Sequence, residues 1–295
     1  MKRLFRGFAA WVLLMGLAAP AKAQYTYSTF DVPDATNTYA YGINNAGQIV
    51  GYYTDSGGKS HGFLLDVDGS YTTLDVPGAT ATYPVGINDA GQIVGGHTVF
   101  HGTVYMDYGF LLDVDRNYTK FRVPGSTDTF AYGINASGQI VGLYFDGSSG
   151  HSFLLDVDGS YSTLDVPGAS QTSTYGINAT GQIVGYYAGP PPTKGYHGFL
   201  RDVDGSYTTL DVPGSYDSSA HGINNAGQIV GAYSDRSGTH GFLLDVNGSY
   251  TTLDVPGAIA TDPFGINDVG QIVGNYWYPV PEANHGFLAT PGAKA

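Results

Sequence analysis

Apolar residues in this chain come in short runs, cut at regular intervals by Asn, Asp, Gly and Pro. GINNAGQIVGYY (Gly42–Tyr53) leads through a polar break to HGFLLDV (His61–Val67). A DG turn, SYTTLDV (Ser70–Val76) and a Pro-Gly step follow, and the pattern then restarts. Runs of Ile, Val, Leu, Tyr and Thr bounded by turn-forming residues predict strands and hairpins. Each period predicts four short strands. The first is the xGIN segment, and a tight turn through NNAG or its variants leads to the second, QIVGxY. A loop leads to the third, HGFLLDV, which turns at DG into the fourth, SYTTLDV.

The glycine of GIN recurs at Gly42, Gly86, Gly133, Gly176, Gly222 and Gly265, a period of 43 to 47 residues. Four antiparallel strands in about 45 residues is the size of a β-propeller blade. The chain begins the pattern with YSTFDVP (Tyr27–Pro33), a lone fourth strand, and ends it with HGFLAT (His285–Thr290), a lone third strand. The expected fold is therefore all-β: a six-bladed β-propeller of four-stranded antiparallel blades, the last closed by the N-terminal strand. A parallel β-solenoid is the alternative, although its coils are shorter and lack tight hairpins. From each GIN glycine to the glycine ending QIVG is always 9 residues, and from the HGF position to the next GIN glycine always 25. Length varies only between the second and third strands, where the step is 10, 13, 9, 12, 9 or 11 residues. One face of the ring is thus expected to be uniform. The other carries the individual loops, where binding and catalysis usually sit.

Lys2, Arg3 and Arg6 precede a short apolar stretch, Phe8 to Ala19, and Ala21-Lys22-Ala23 is a small-x-small site for a signal peptidase. Residues 1–23 read as a signal peptide, leaving 272 residues, 24–295, as one domain of six tandem repeats. A retained anchor is the alternative, but the run is short and wrongly flanked for a stable span. There is no cysteine, which excludes a disulfide scaffold or a lipid-anchored N-terminal Cys. These features point to a bacterial protein exported to the periplasm or the extracellular medium, expected as a monomer without a membrane span. Residues 24–295 hold 8 Lys+Arg against 25 Asp+Glu, a net charge of −17. Nucleic acid and anionic lipid are unsuitable partners for such a surface. All but Glu282 of the acids are Asp, a residue of turns rather than helices.

Histidine opens the third strand at His61, His151, His197, His240 and His285, while the second repeat has Tyr108 there. A shared metal is excluded by distance. A third strand lies roughly 10 Å outside the innermost one, which places neighbouring histidines on the order of 15 Å apart. A Zn–N bond spans about 2 Å. Counting through the DVDG turn instead sets His61 across from Asp75, His151 from Asp165, His197 from Asp211, His240 from Asp254 and His285 from Asp31. Where His is replaced by Tyr108, the partner is replaced by Arg122. The expectation is structural His–Asp pairs, with catalytic dyads as the alternative. The DVDG acids (Asp66/Asp68, Asp113/Asp115, Asp156/Asp158, Asp202/Asp204, Asp245/Asn247) offer too few oxygens for a typical calcium site. No metal or cofactor is therefore expected, with calcium the one ion kept open.

The GIN asparagines (Asn44, Asn88, Asn135, Asn178, Asn224, Asn267) suit Asx-type turn bonds. The residue before GIN is Tyr41, Val85, Tyr132, Tyr175, His221 or Phe264. These side chains either stack a sugar at the channel mouth or, the favoured reading, pack between blades. The candidate ligand-binding residues sit in the long variable loops. They are His97, Phe100, His101, Tyr105 and Asp107 in the second repeat, and Tyr187 and Tyr196 in the Pro-rich fourth. The sixth adds Trp277, Tyr278 and Glu282. Exposed aromatics on rigid loops suit carbohydrate or peptide recognition.

The GIN-x-x-GQIVG segment followed by HGF resembles the HAF family of extracellular repeats, named for a His-Ala-Phe triplet. Here the triplet is HGF in four copies, YGF at Tyr108 and HSF at His151, so the Ala is absent throughout. The resemblance covers essentially all of residues 24–295. It implies an exported bacterial tandem-repeat protein and transfers no catalytic residues. No nucleophile elbow, phosphate loop or HExxH motif is present. The expected function is a non-enzymatic module binding a glycan, or another surface or protein ligand, through the loop face. The alternative is a polysaccharide-acting hydrolase or lyase using His97, His101, Asp107, Glu282, Asp146 or Asp235. A third reading is a structural matrix protein.

Overall fold

The structure, a computed structural model, describes residues 25–190, 195–279 and 282–292. The signal segment 1–23 lies outside the described residues, as does 191–194 of the Pro-rich loop. Among the described residues every regular element is a strand.

In the first repeat the strands Asn37–Ile43, Ile49–Thr54, Ser60–Leu65 and Tyr71–Leu74 pair antiparallel in that order. The second, third and fourth repeats each form the same four-stranded sheet. The remaining eight strands form one sheet, in which the fifth and sixth repeats join through a single parallel pair, Thr239 with Ala260. Its far edge is Tyr25–Phe30, which pairs antiparallel with Glu282–Pro291 from Tyr25↔Pro291 to Phe30↔Gly286. The sheets stand around a central channel with their first strands innermost. This is an all-β propeller.

The sheets are held by packing against their neighbours. Val50 and Leu64 of the first repeat share a core cluster with Ile87, Ile93 and Phe110 of the second. The phenylalanines of the HGF segments, Phe63, Phe110, Phe153, Phe199, Phe242 and Phe287, are fully buried. A single repeat has no such partner surface, which is why the sequence must repeat.

Two contacts recur around the channel. A Cβ on Gly42 would lie 2.6 Å from the Val85 carbonyl oxygen, and one on Gly265 would lie 2.6 Å from that of Tyr41. The GIN glycine is thus set by the close approach of the next repeat's backbone. The GIN asparagine both closes its turn and reaches across. Asn44 Oδ1 accepts from the Gln48 backbone N–H at 3.0 Å, while its Nδ2 donates to the Asn88 carbonyl at 3.4 Å. The same step runs from Asn88 to Asn135, Asn178, Asn224, Asn267 and back to Asn44.

The innermost strands begin earlier than xGIN and carry a bulge immediately before the GIN glycine, between Ala40 and Gly42 in the first repeat. The same shift occurs in every other copy. The alternation in NTYAYGI hides the extra residue, because a bulge breaks the period-two pattern without changing composition. Two of the expected loops are also strand. Ile93–Phe100 and Tyr105–Leu112 extend the second sheet to a tight turn in which His101 N–H donates to the Val104 carbonyl at 2.9 Å. Ile272–Pro279 and Glu282–Pro291 likewise lengthen the sixth, pairing as far as Pro279↔Glu282. Their β-branched and aromatic residues (HTVF, VYMDY, NYWY) favour continued pairing over a free loop.

Candidate functional site

The third and fourth strands meet at the outer rim of the variable face. There His61 Nδ1 lies 2.7 Å from Asp75 Oδ2, and His151 Nδ1 2.7 Å from Asp165 Oδ2. His197–Asp211, His240–Asp254 and His285–Asp31 meet at 2.9 Å. A tyrosine of the second strand covers each histidine: Tyr53, Tyr144, Tyr187, Tyr233 and Tyr276, with ring centroids 5.2 to 5.4 Å apart. Tyr187, a candidate ligand contact from the sequence, is one of these covers, and its hydroxyl bonds Thr209 at 3.0 Å. These groups satisfy one another.

Two acids considered for catalysis end in local turns. Asp146 accepts hydrogen bonds from Ser148 and Ser149, which hold its carboxyl well below the usual carboxylate range. Asp235 is lowered in the same way by Ser237. In the DVDG turns Asp66 accepts from Val67 N–H, and Asp68 from Ser70 N–H, each through Oδ1. Among the described residues no three His, Asp or Glu side chains converge as a metal site would require.

The bulged residues turn inward to the channel. Tyr132, Tyr175, His221, Phe264 and Tyr41 form a continuous series of ring contacts with centroids 4.5 to 5.2 Å apart, broken only by Val85. The channel segment they line holds about 90 Å³, room for a few waters at about 30 Å³ each. Most of these rings face one another.

Between the fourth and sixth repeats the series opens into a larger cavity of about 380 Å³ on the variable face. Tyr175, Tyr186, Tyr196, His221 and Phe264 line it, together with Asp217 and Asp262 of two innermost strands. Tyr196 packs edge-on against Tyr186 at 5.0 Å and is 44% exposed. Asp217 Oδ1 is committed to the Tyr196 N–H at 2.8 Å. His221 Nδ1 donates to the Pro263 carbonyl at 2.9 Å. Asp262 Oδ1, 3.3 Å from the same nitrogen, is buried without a hydrogen-bond partner among the described residues. A pocket lined by aromatic rings with a partly exposed carboxylate, that of Asp262, suits a ligand that offers both C–H faces and hydroxyl donors.

The other candidates do not gather there. Phe100 and Tyr105 are exposed and lie against each other at 4.8 Å on the second-repeat hairpin. Asp107 accepts from Thr98 Oγ1 at 2.5 Å, and burial pushes its carboxyl up. His97, expected in an exposed loop, is 1% exposed, because the strand carries it inward. It shares a separate cavity with His101. Trp277 is half-buried, Tyr278 donates to the Pro256 carbonyl at 2.7 Å, and Glu282 is exposed at the first residue of its strand. The candidates thus fall on three separate sheets. Tyr175, His221 and Phe264 were weighed for sugar stacking at the channel mouth, but Tyr186, Asp217 and Asp262 were missed, since only the bulge and the ring place them beside those rings.

The architecture matches solved proteins of several kinds. A virginiamycin B lyase from Staphylococcus aureus superposes with a TM-score of 0.51 at 11% identity, covering 90% of this chain and 99% of that one. A gluconolactonase from Xanthomonas campestris gives 0.54 at 12% identity, with 88% of each chain covered. TolB from Acinetobacter baumannii gives 0.50 at 16% identity over 74% of this chain and 63% of that one. The likeness is one of fold. No protein-family model matches the chain, and no curated protein matches it.

Proposed function

We propose that this protein is an exported, non-enzymatic binding module that takes a glycan at the mouth cavity of the variable face. The observation that carries this reading is the cavity of about 380 Å³ lined by Tyr175, Tyr186, Tyr196, His221 and Phe264, with the partly exposed Asp262 carboxylate among them. Pyranose rings present an apolar face to an aromatic ring and hydroxyl donors at their edge, which such a lining and carboxylate complement. Of the two acids at this cavity, Asp217 is already engaged by backbone. Asp262 lies 3.3 Å from His221 Nδ1, so neither stands as one of the two matched carboxyl groups that glycoside hydrolysis normally uses.

In this reading the eight-stranded sheet counts as two blades, because one parallel residue pair joins its halves. The propeller then has six, one for each GIN copy, within a domain spanning 24–295. We also keep the HAF-type repeat and the signal peptide as part of the proposal.

The test is a glycan array followed by calorimetry on the best hit, with wild type and Tyr196→Ala, with and without calcium. Sugar-selective binding at one site per chain, weakened by Tyr196→Ala, supports the reading. Release of shortened oligosaccharide would replace it with the hydrolase or lyase alternative. Binding at six equivalent sites would move it away from this cavity.

A further inference from the structure

The second repeat departs from the other five at one place on the rim, and it does so at four positions together. Where the others set Tyr, His, Thr and Asp side by side, as in Tyr53, His61, Thr73 and Asp75, it sets His97, Tyr108, Lys120 and Arg122. The histidine and the aromatic ring trade places, and an acid gives way to two cations. The imidazole of His97 is shorter than the phenol it replaces, and a cavity of about 370 Å³ opens between these residues, His101, Val99 and Phe121.

None of the lining residues is acidic. Lys120 Nζ donates to the Pro77 carbonyl at 2.8 Å, and Arg122 donates to the Ser126 carbonyl, with its guanidinium carbon 5.8 Å from the Tyr108 ring centre. Neither cation has an ion-pair partner among the described residues. His97 lines the cavity but is only 1% exposed, and both its ring nitrogens are buried, with the Tyr108 backbone the nearest polar group acting on them. In residues 24–295, whose net charge is −17, this cavity is lined by two cations and no acid.

We propose that the His97–Lys120–Arg122 cavity is a second binding site, for a carboxylate carried on an apolar body. The two cations attract the carboxylate, and Val99, Phe121 and the rings of Tyr108 and His97 take the apolar part. The site is independent of the mouth cavity and stands on a different sheet.

The probes are benzoate, its uncharged counterpart benzamide, and glucuronate, which has the same charge on a polar body. Each is titrated into the full protein by calorimetry and by the imidazole ¹⁵N signals of His97. Benzoate should bind at least tenfold more tightly than either of the others and shift the His97 signals. Lys120→Thr, which installs the residue used by the first, third, fourth and fifth repeats, should weaken benzoate at least tenfold, and His97→Tyr should abolish its binding. Tyr196→Ala should leave it unchanged, which separates this site from the glycan reading. Equal binding of benzamide would overturn the anion site, and equal binding of glucuronate would overturn the apolar one. Absence of any His97 shift with benzoate would overturn both.

Discussion

Asn267 donates its side-chain amide to the backbone carbonyl of Asn44 at 3.2 Å, joining the last GIN copy to the first. The same side chain closes its own turn, through Gln271 N–H at 2.9 Å and Gln271 Oε1 at 2.8 Å. Each GIN asparagine is therefore a fastener within its repeat and between repeats. Asn267→Ala should cost about 2–3 kcal/mol, for one buried and two half-buried bonds at roughly 1 kcal/mol each. Asn135→Ala, far from the ends and with a further bond from Ser137 N–H, should cost at least as much. Urea denaturation measures both, and a much smaller loss at Asn267 would mean that the ring is slack at its seam.

Gly222 should tolerate no side chain. A Cβ there would lie 2.4 Å from the Phe264 carbonyl oxygen, a backbone atom that cannot rotate away. Gly222→Ala is expected to cost about 3 kcal/mol or to prevent folding, at the upper end of overpacking penalties. A thermal midpoint within a degree of wild type would contradict the close approach.

The pH response of stability should carry the signature of His97. Burial, and then the charge of Lys120, lower its pKa from 6.5 to about 4. Unfolded histidine binds its proton below about pH 6.5, so unfolding takes up a proton between pH 6.5 and 4. Its contribution to stability is complete above pH 6.5 and falls away as the pH drops towards 4. Relative to His97→Tyr, wild type should lose about 3 kcal/mol between pH 7 and pH 4. Parallel stability curves for the two proteins would show that His97 is not held neutral.

Tyr196 should separate binding from folding. It is 44% exposed and meets its neighbours mainly through ring contact with Tyr186. Tyr196→Ala should change stability by no more than about 0.5 kcal/mol. It should weaken the best glycan hit roughly tenfold, the scale of one aromatic contact. Unchanged affinity would place the glycan elsewhere.

The rim pairs should prove modest. A double-mutant cycle on His61 and Asp75, whose side chains are 17% and 39% exposed, should give a coupling of about 0.5 kcal/mol, as for other solvent-reached pairs. A coupling several times larger would assign these pairs a role beyond joining two strands.

Much of this arrangement is written locally in the chain. The DVDG turn has a fixed length, so counting residues through it is enough to set His61 opposite Asp75. The glycines of GIN mark where backbones approach. The mouth cavity was not legible in the same way. Tyr175, His221 and Phe264 belong to three different repeats and meet only because a bulge turns each one inward. His97 was misplaced for a related reason. HTVFHGTVYMDY has the polarity of a loop and the β-branched content of a strand, and cross-strand pairing decided between them.

The pairing of Tyr25–Phe30 with Glu282–Pro291 bears on how the molecule is made. Phe30 leaves the ribosome before any GIN copy, and Gly286, which it must face, leaves after all of them. Until then the opening strand has no neighbour, and the repeats already synthesised can stack only into an open arc. Closure waits on the far end of the chain, so a nascent protein released early keeps an unpaired edge that another chain can occupy.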